Sequence, residues 1–140
     1  IDTGEAVVRY GEPTLVRPRL GQGSFRVCVT DAYERRCAVT KERTLPVLEA
    51  AHIKPYADGG EHRIDNGLLL RRDLHTLFDR GYVTVSPELR FEVSRKLKED
   101  FENGRDYYEM NGRELWLPMA VGERPRAEYL AWHREERWLG

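Results

Sequence analysis

The chain has 140 residues, of which 40% are hydrophobic and 34% charged, and its formal net charge at pH 7 is −1. This length fits one domain, which at about 150 residues buries roughly 68–70% of its unfolded surface and can hold a core without disulfides. The composition argues against a disordered chain, and the absence of an apolar run of about 18 residues argues against membrane insertion. The near-zero net charge argues against a general nucleic-acid coat protein.

The start of the chain and its cysteines bear on cellular context. The sequence begins at Ile1 and has no charged-then-apolar signal segment. We therefore expect residues 1–20 to be an extended lead-in from a longer protein, whose upstream part could hold another domain. Cys28 and Cys37 are too few for a zinc ribbon, and without a secretory signal we expect two free thiols and a cytoplasmic protein.

The first predicted elements are one helix and two short strands. Ser24 is a good N-cap for a helix that runs to about Arg36. Apolar residues follow the three-four spacing of one buried stripe on this helix: Phe25, Cys28, Val29, Ala32 and Tyr33. Residues 37–40 and residues 45–53 are strand candidates, and Pro55 ends the second.

The second half of the chain predicts helices and hairpins in alternation. Residues 73–79 have the pattern of a short helix, and alternating residues 82–85 and 89–93 predict a hairpin. Asn111-Gly112 suggests a second, tighter hairpin between Tyr108 and residues 115–117. A last helix is expected from about residue 126 to 137.

Residues 49–81 carry the pattern that points to chemistry. His52 ends an apolar strand, Asn66 follows a Gly-Gly turn, and His75 precedes Asp79 by four residues. Phosphodiester hydrolysis needs a divalent ion to neutralise developing charge and a base to activate water. His52 could be that base, His75 and Asp79 share one helical face and could hold one ion, and the Asn66 amide could cross-link the intervening loop or reach the metal edge. Taken singly, each residue also fits an ordinary structural role, so the joint pattern carries the hypothesis.

Over residues 36–85 the chain resembles the HNH endonucleases of the ββα-metal class. The resemblance rests on AAHI, DNGLLL and DLHTLFDRG, a combination common in bacterial restriction-type nucleases. It implies an α+β fold: a ββα-metal (HNH) core with an N-terminal helix and a C-terminal hairpin/helix extension. Residues 21–140 would then form the nuclease domain.

The resemblance also implies roles for single residues. His52 would be the general base, Asn66 would fix the loop, and His75 would be a metal ligand. Asp79 matches the position where colicin-type relatives carry a further metal-binding histidine. Glu49 matches an acid that supports the catalytic site in those relatives.

Two residues depart from the family pattern. Ala51 replaces the Asp or His that often precedes the base and binds metal, so the ion would have fewer protein ligands and more waters. This favours one Mg²⁺ or Mn²⁺ ion, with Zn²⁺ or Ni²⁺ as alternatives. Lys41 stands where the glycine of a CAVTG turn is expected, which places the geometry of that turn in question.

The expected partner is double-stranded DNA. Residues 17–43 contain seven Lys or Arg against three Asp or Glu, whereas residues 97–116 contain three against six. One face could therefore meet phosphates, although an ordinary solvated surface would give the same counts. The predicted DNA-binding residues are Arg35, Arg36, His62, Arg63, Arg71 and Arg72.

The predicted function is metal-dependent endonuclease cleavage of DNA, in restriction of foreign or modified DNA. One alternative is a non-catalytic DNA-binding module that retains the fold. A second is a structural metal site in a protein-interaction domain, but such sites are usually closed by four side chains, and this chain has few thiols and histidines close together. The oligomeric state, with a homodimer as one option, is open.

Overall fold

The computed structural model describes residues 20–140, so the predicted lead-in falls outside the described residues except for Leu20. Helices surround two separate antiparallel two-stranded sheets. None of the helices in the described part is long and apolar enough to cross a membrane. In chain order the elements are α1 (Gln22–Ala32), β1 (Leu48–His52), β2 (Gly67–Arg71), α2 (Arg72–Asp79), β3 (Val83–Val85), β4 (Phe91–Val93), α3 (Lys96–Phe101), α4 (Arg105–Tyr108) and α5 (Ala127–Glu136).

The centre of the fold is the unit β1–β2–α2. β1 pairs with β2 in antiparallel register from Leu48 opposite Arg71 to His52 opposite Gly67. A Cβ atom at Gly67 would lie 2.6 Å from Val29 and would clash with α1. The lack of a side chain there lets α1 pack directly over the end of the hairpin.

A continuous apolar run forms β2. Leu68, Leu69 and Leu70 are each at most 2% exposed, because the strand is covered on both faces. α2 follows directly at Arg72, so the side chains of β1 and of the first turns of α2 are held next to one another. This rigid unit positions the candidate site.

The α+β prediction is confirmed, but several predicted boundaries in the first half are wrong. α1 begins at Gln22 with Gly21 as its N-cap, so Ser24 lies inside the helix and does not cap it. The helix ends at Ala32, and the next residues break it with left-handed backbone angles at Glu34 and Arg35.

Residues 37–40 form a turn, not a strand. The Cys37 amide donates to the carbonyl of Glu42, and the Lys41 amide donates back to the carbonyl of Cys37, each at 2.9 Å. Lys41 has a φ of 65°, the left-handed conformation that glycine adopts most easily. The turn thus keeps a left-handed residue where the family pattern has glycine.

In the second half, the first hairpin is confirmed by β3 pairing antiparallel with β4. The second predicted hairpin is wrong, because Tyr108 closes α4 and only a single bridge, between Arg90 and Glu114, follows. Gly112 has a φ of 85° and makes a left-handed turn between Tyr108 and Glu114. The last helix was predicted within one residue at each end. Neither cysteine is part of a disulfide, in agreement with the prediction.

Candidate active site

Four of the five predicted catalytic and metal-binding residues line one cleft between α1, β1 and α2. Glu49 and His52 reach it from β1, and His75 and Asp79 from α2. The cleft has a volume of about 1030 Å³. Its rim also carries three cationic side chains: Arg26, Arg72 and Arg137.

His52 is held by ring contacts on the wall of the cleft. Its imidazole stacks on Phe25 with ring centroids 4.0 Å apart and an interplanar angle of 7°. Its Nε2 lies 3.0 Å from Nδ1 of His62. Burial, together with smaller contributions from the neighbouring His62 and His75, lowers the pKa of His52 to about 4. At neutral pH the imidazole is therefore uncharged and can accept a proton.

Asn66 is fully buried behind the cleft and bonds the loop after β1. Its Oδ1 accepts from the Lys54 amide, and its Nδ2 donates to the carbonyls of Lys54 and Glu61, each at 2.9 Å. These bonds are the ones that the predicted loop-fixing role requires. The loop leaves no spare room, because a Cβ atom at Gly60 would lie 1.8 Å from the Lys54 carbonyl oxygen.

Both nitrogens of the His75 ring face carboxylates. Nδ1 lies 2.7 Å from Oε1 of Glu49, and Nε2 lies 3.3 Å from Oδ2 of Asp79. The hydrogen bond to Asp79 raises the pKa of His75, with a further contribution from Glu49. The bond to His75 in turn lowers the pKa of Glu49. Glu49 thus orients the ring from β1 and leaves Nε2 and Asp79 together at the cleft.

The donor set at this point fits a weakly held hard cation. Two donors that each lie roughly 2.0–2.2 Å from one ion stand about 3 Å apart when their bonds are close to perpendicular, and Nε2 of His75 and Oδ2 of Asp79 have that spacing. Among residues 20–140, no three His, Cys, Asp or Glu side chains form a ready metal-binding group. An imidazole and a carboxylate with water completing the shell suit Mg²⁺ or Mn²⁺ better than a closed zinc site.

The predicted DNA-binding residues are dispersed. Of the six, only Arg72 lines the cleft, where it donates to Glu49 at 3.0 Å. Arg63 is 11% exposed and binds Asp65 through both Nε and Nη2, and Arg71 binds Asp73 in the same way. The guanidinium groups of these last two are therefore engaged within the protein.

The remaining three residues also lie away from the rim of the cleft. Arg36 lies over the ring of Trp116 at 5.0 Å, and Arg35 is exposed at the end of the turn after α1. His62 stands behind His52 and not at the surface of the cleft. Their contacts with DNA remain predictions.

Comparison with known proteins places the central segment in a family. Residues 37–86 match the model of the HNH endonuclease family. The segment is an HNH endonuclease domain. The predicted resemblance to HNH endonucleases is therefore confirmed. Members of this family generally use a divalent metal.

The fold of the HNH domain and its surroundings also has a solved counterpart. The chain is similar to a structure described as the modification dependent TagI restriction endonuclease, with a TM-score of 0.56 and 21% sequence identity. The similarity covers 89% of this chain and 40% of the other, so the chain spans less than half the length of that protein. No curated protein matches the chain.

Three residues contribute to the site around the HNH domain in a way that the sequence did not predict. Arg26 reaches the cleft from α1, 23 residues before the motif at residues 49–81, and Arg137 reaches it from the end of α5, more than 50 residues after the motif. His62 was assigned to the DNA backbone, although it bonds His52.

Proposed function

We propose that this domain hydrolyses phosphodiester bonds of double-stranded DNA with one divalent cation, Mg²⁺ or Mn²⁺. The observation that carries the proposal is the joint placement of a neutral imidazole and an imidazole–carboxylate pair on one cleft within an HNH fold. The similar solved structure is described as a modification-dependent restriction enzyme. Restriction of foreign or modified DNA is therefore the biological setting that we propose for the whole protein.

His52 is the general base in this proposal. Its lowered pKa keeps it unprotonated at neutral pH, and its Nδ1 has no hydrogen-bond partner among residues 20–140. Phe25 on one side and His62 on the other limit rotation of the ring. A phosphate that enters the cleft brings negative charge, which raises the basicity of the ring when it must take the proton.

His75 and Asp79 are the residues that would hold the cation. When bound, a divalent ion supplies charge neutralisation at the phosphate and stabilises the leaving oxygen. Glu49 fixes the ring of His75, and Asn66 fixes the loop that carries His62. Arg26, Arg72 and Arg137 at the rim would contact the DNA backbone.

Plasmid cleavage by the purified chain, with and without Mg²⁺ or Mn²⁺, tests the proposal. We expect nicking or linearisation only with a cation. His52→Ala should lower the rate by about 10²–10⁴-fold without unfolding the protein. Glu88→Ala, at an exposed turn between β3 and β4, is the control and should cleave like the parent.

Two outcomes would contradict the proposal. Cation-independent DNA binding without cleavage would favour the non-catalytic module. A folded His52→Ala protein that cleaves at the parent rate would remove His52 from the role of base.

A further inference from the structure

The bond between His52 and His62 couples the protonation of the two rings. A neutral imidazole carries one N–H, and the other nitrogen is then an acceptor. If Nε2 of His52 donates to Nδ1 of His62, both rings carry their proton on Nε2. If the bond runs the other way, both rings carry it on Nδ1, and the Nδ1 of His52 cannot act as a base.

Only one of these two tautomeric states allows His52 to accept a proton from a water molecule in the cleft. Its Nε2 is already occupied by His62 at 3.0 Å, so Nδ1 is the ring nitrogen left for a water molecule. That nitrogen accepts a proton only when Nε2–H donates to His62. The same bond also stabilises His52 once it becomes positively charged, because bonds from an ionised donor are stronger.

We propose that His62 is a positioning residue that holds His52 in the Nε2–H tautomer and leaves Nδ1 as the basic atom. The inference rests on the proposed function, and it replaces the contact with the DNA backbone predicted for His62. Which nitrogen of a histidine carries the proton is generally set by the hydrogen bond that the other nitrogen makes.

The surroundings of His62 hold its ring in place for this role. Tyr56 stacks on it with centroids 4.6 Å apart and an interplanar angle of 2°. The His62 carbonyl accepts from the Leu20 amide at 2.7 Å, and the adjacent Glu61 carbonyl accepts from Asn66. A surface histidine aimed at a phosphate would not need restraint from its backbone and from a stacked ring.

Two substitutions separate the hydrogen bond from the stacking. His62→Phe keeps a flat ring against Tyr56 but has no acceptor, and His62→Asn loses the ring but places an amide oxygen close to the former Nδ1. Nitrogen shifts of the imidazoles, measured by NMR on the ¹⁵N-histidine-labelled 140-residue chain at pH 7, report the tautomer directly. Cleavage of plasmid DNA reports its consequence.

We expect Nε2-protonated His52 in the parent, a mixture of tautomers in His62→Phe, and recovery of the Nε2–H form in His62→Asn. The kcat of His62→Phe should fall by about 10–100-fold, as for other groups that orient a catalytic ligand, while KM stays the same and His62→Asn recovers most of the rate. A parent in which His52 carries its proton on Nδ1 overturns the inference. Equal kcat values in the parent and His62→Phe overturn it as well. If the parent cleaves no DNA with any cation, the proposed function fails, whereas the tautomer measurement still decides the state of His52.

Discussion

At the residue scale, His75 is held by a carboxylate at each of its two ring nitrogens. Its Nδ1 is committed to Glu49 on the neighbouring strand, and only Nε2 stands beside Asp79 at the cleft. We predict that His75→Ala and Asp79→Ala each weaken Mn²⁺ binding at least tenfold, measured by titration calorimetry, since each removes one of two protein donors. Thr76→Ala is the matched control, because Thr76 is an exposed residue of the same helix and its hydroxyl donates only to the backbone carbonyl of Arg72.

The two variants can also disagree. Parent-like binding by Asp79→Ala together with loss of binding by His75→Ala would mean that water or another group completes the shell. Parent-like binding by both would place the ion elsewhere and remove the assignment of this pair.

Single residues were predictable where their chemistry follows from local spacing. His75 and Asp79 could be paired from the sequence because four residues place them on one helical face. The partner of His52 could not be predicted, because His62 reaches it only after the chain turns back through the 3₁₀ turn Tyr56–Asp58 and the left-handed Gly59. Ring tautomers and loop conformation depend on tertiary contacts, which the spacing of residues in the sequence does not predict.

At the element scale, the loop between β1 and β2 is the least tolerant part of the site. A Cβ atom at Gly60 would lie 1.8 Å from the Lys54 carbonyl oxygen and 2.9 Å from Nδ2 of Asn66. We predict that Gly60→Ala lowers the free energy of unfolding by about 1–3 kcal/mol or more, because backbone must move to admit the methyl group. Urea denaturation followed by circular dichroism measures this change.

Gly23→Ala is the control for this substitution. Gly23 lies in α1 with no atom within 4 Å of the added Cβ, so alanine there should stabilise the protein by about 0.5–1 kcal/mol through helix propensity. If Gly60→Ala is as stable as the parent, the loop is looser than its contacts indicate.

The elements themselves were predicted unevenly, for a physical reason. α2 was recognisable because its buried Leu74 and Phe78 lie four residues apart on one face, and the β3–β4 hairpin because apolar and polar residues alternate along its sequence. β2 was missed because it is covered on both sides, so its Leu-Leu-Leu run has no alternation. The strand predicted at residues 37–40 is a turn because Lys41 takes a left-handed conformation. A lysine in the sequence gives no signal for that conformation.

At the scale of the whole molecule, His133 ties stability to pH. It is 1% exposed, stacks on Phe78, and bonds Thr84 and the Phe78 carbonyl. Burial lowers its pKa from 6.5 to about 4. Between these values the unfolded chain binds a proton that the folded protein does not, so stability falls as the pH drops from about 6.5 towards 4.

We predict that lowering the pH from 7 to 5 costs the metal-free parent about 2 kcal/mol of stability through His133 alone. His133→Gln has no titrating group at this position. It should be less stable than the parent at pH 7, because the stacked ring is lost, yet lose about 2 kcal/mol less on acidification. Urea unfolding of both proteins at pH 7 and 5 measures the difference. Equal losses in the two proteins would mean that His133 titrates normally in the fold.

The charge distribution of the whole molecule predicts how DNA is held. The cleft rim carries Arg26, Arg72 and Arg137, whereas none of the cleft-lining residues comes from the acidic segment 97–116. Guanidinium groups at such a rim meet phosphates, which position a duplex without reading its bases. Binding should therefore be weak, and the slope of log affinity against log salt should be about −0.9 for each phosphate neutralised.

Binding of two unmodified duplexes and one methylated duplex across a salt series, in EDTA to prevent cleavage, tests this prediction. We expect the three affinities to differ little, and Arg26→Ala to reduce the steepness of the salt dependence by about one phosphate contact. Arg105→Ala, an exposed substitution in the acidic segment, is the control and should leave the slope unchanged. Strong, salt-insensitive preference for the methylated duplex would place recognition of modified DNA within this chain, because phosphate contacts alone cannot produce it.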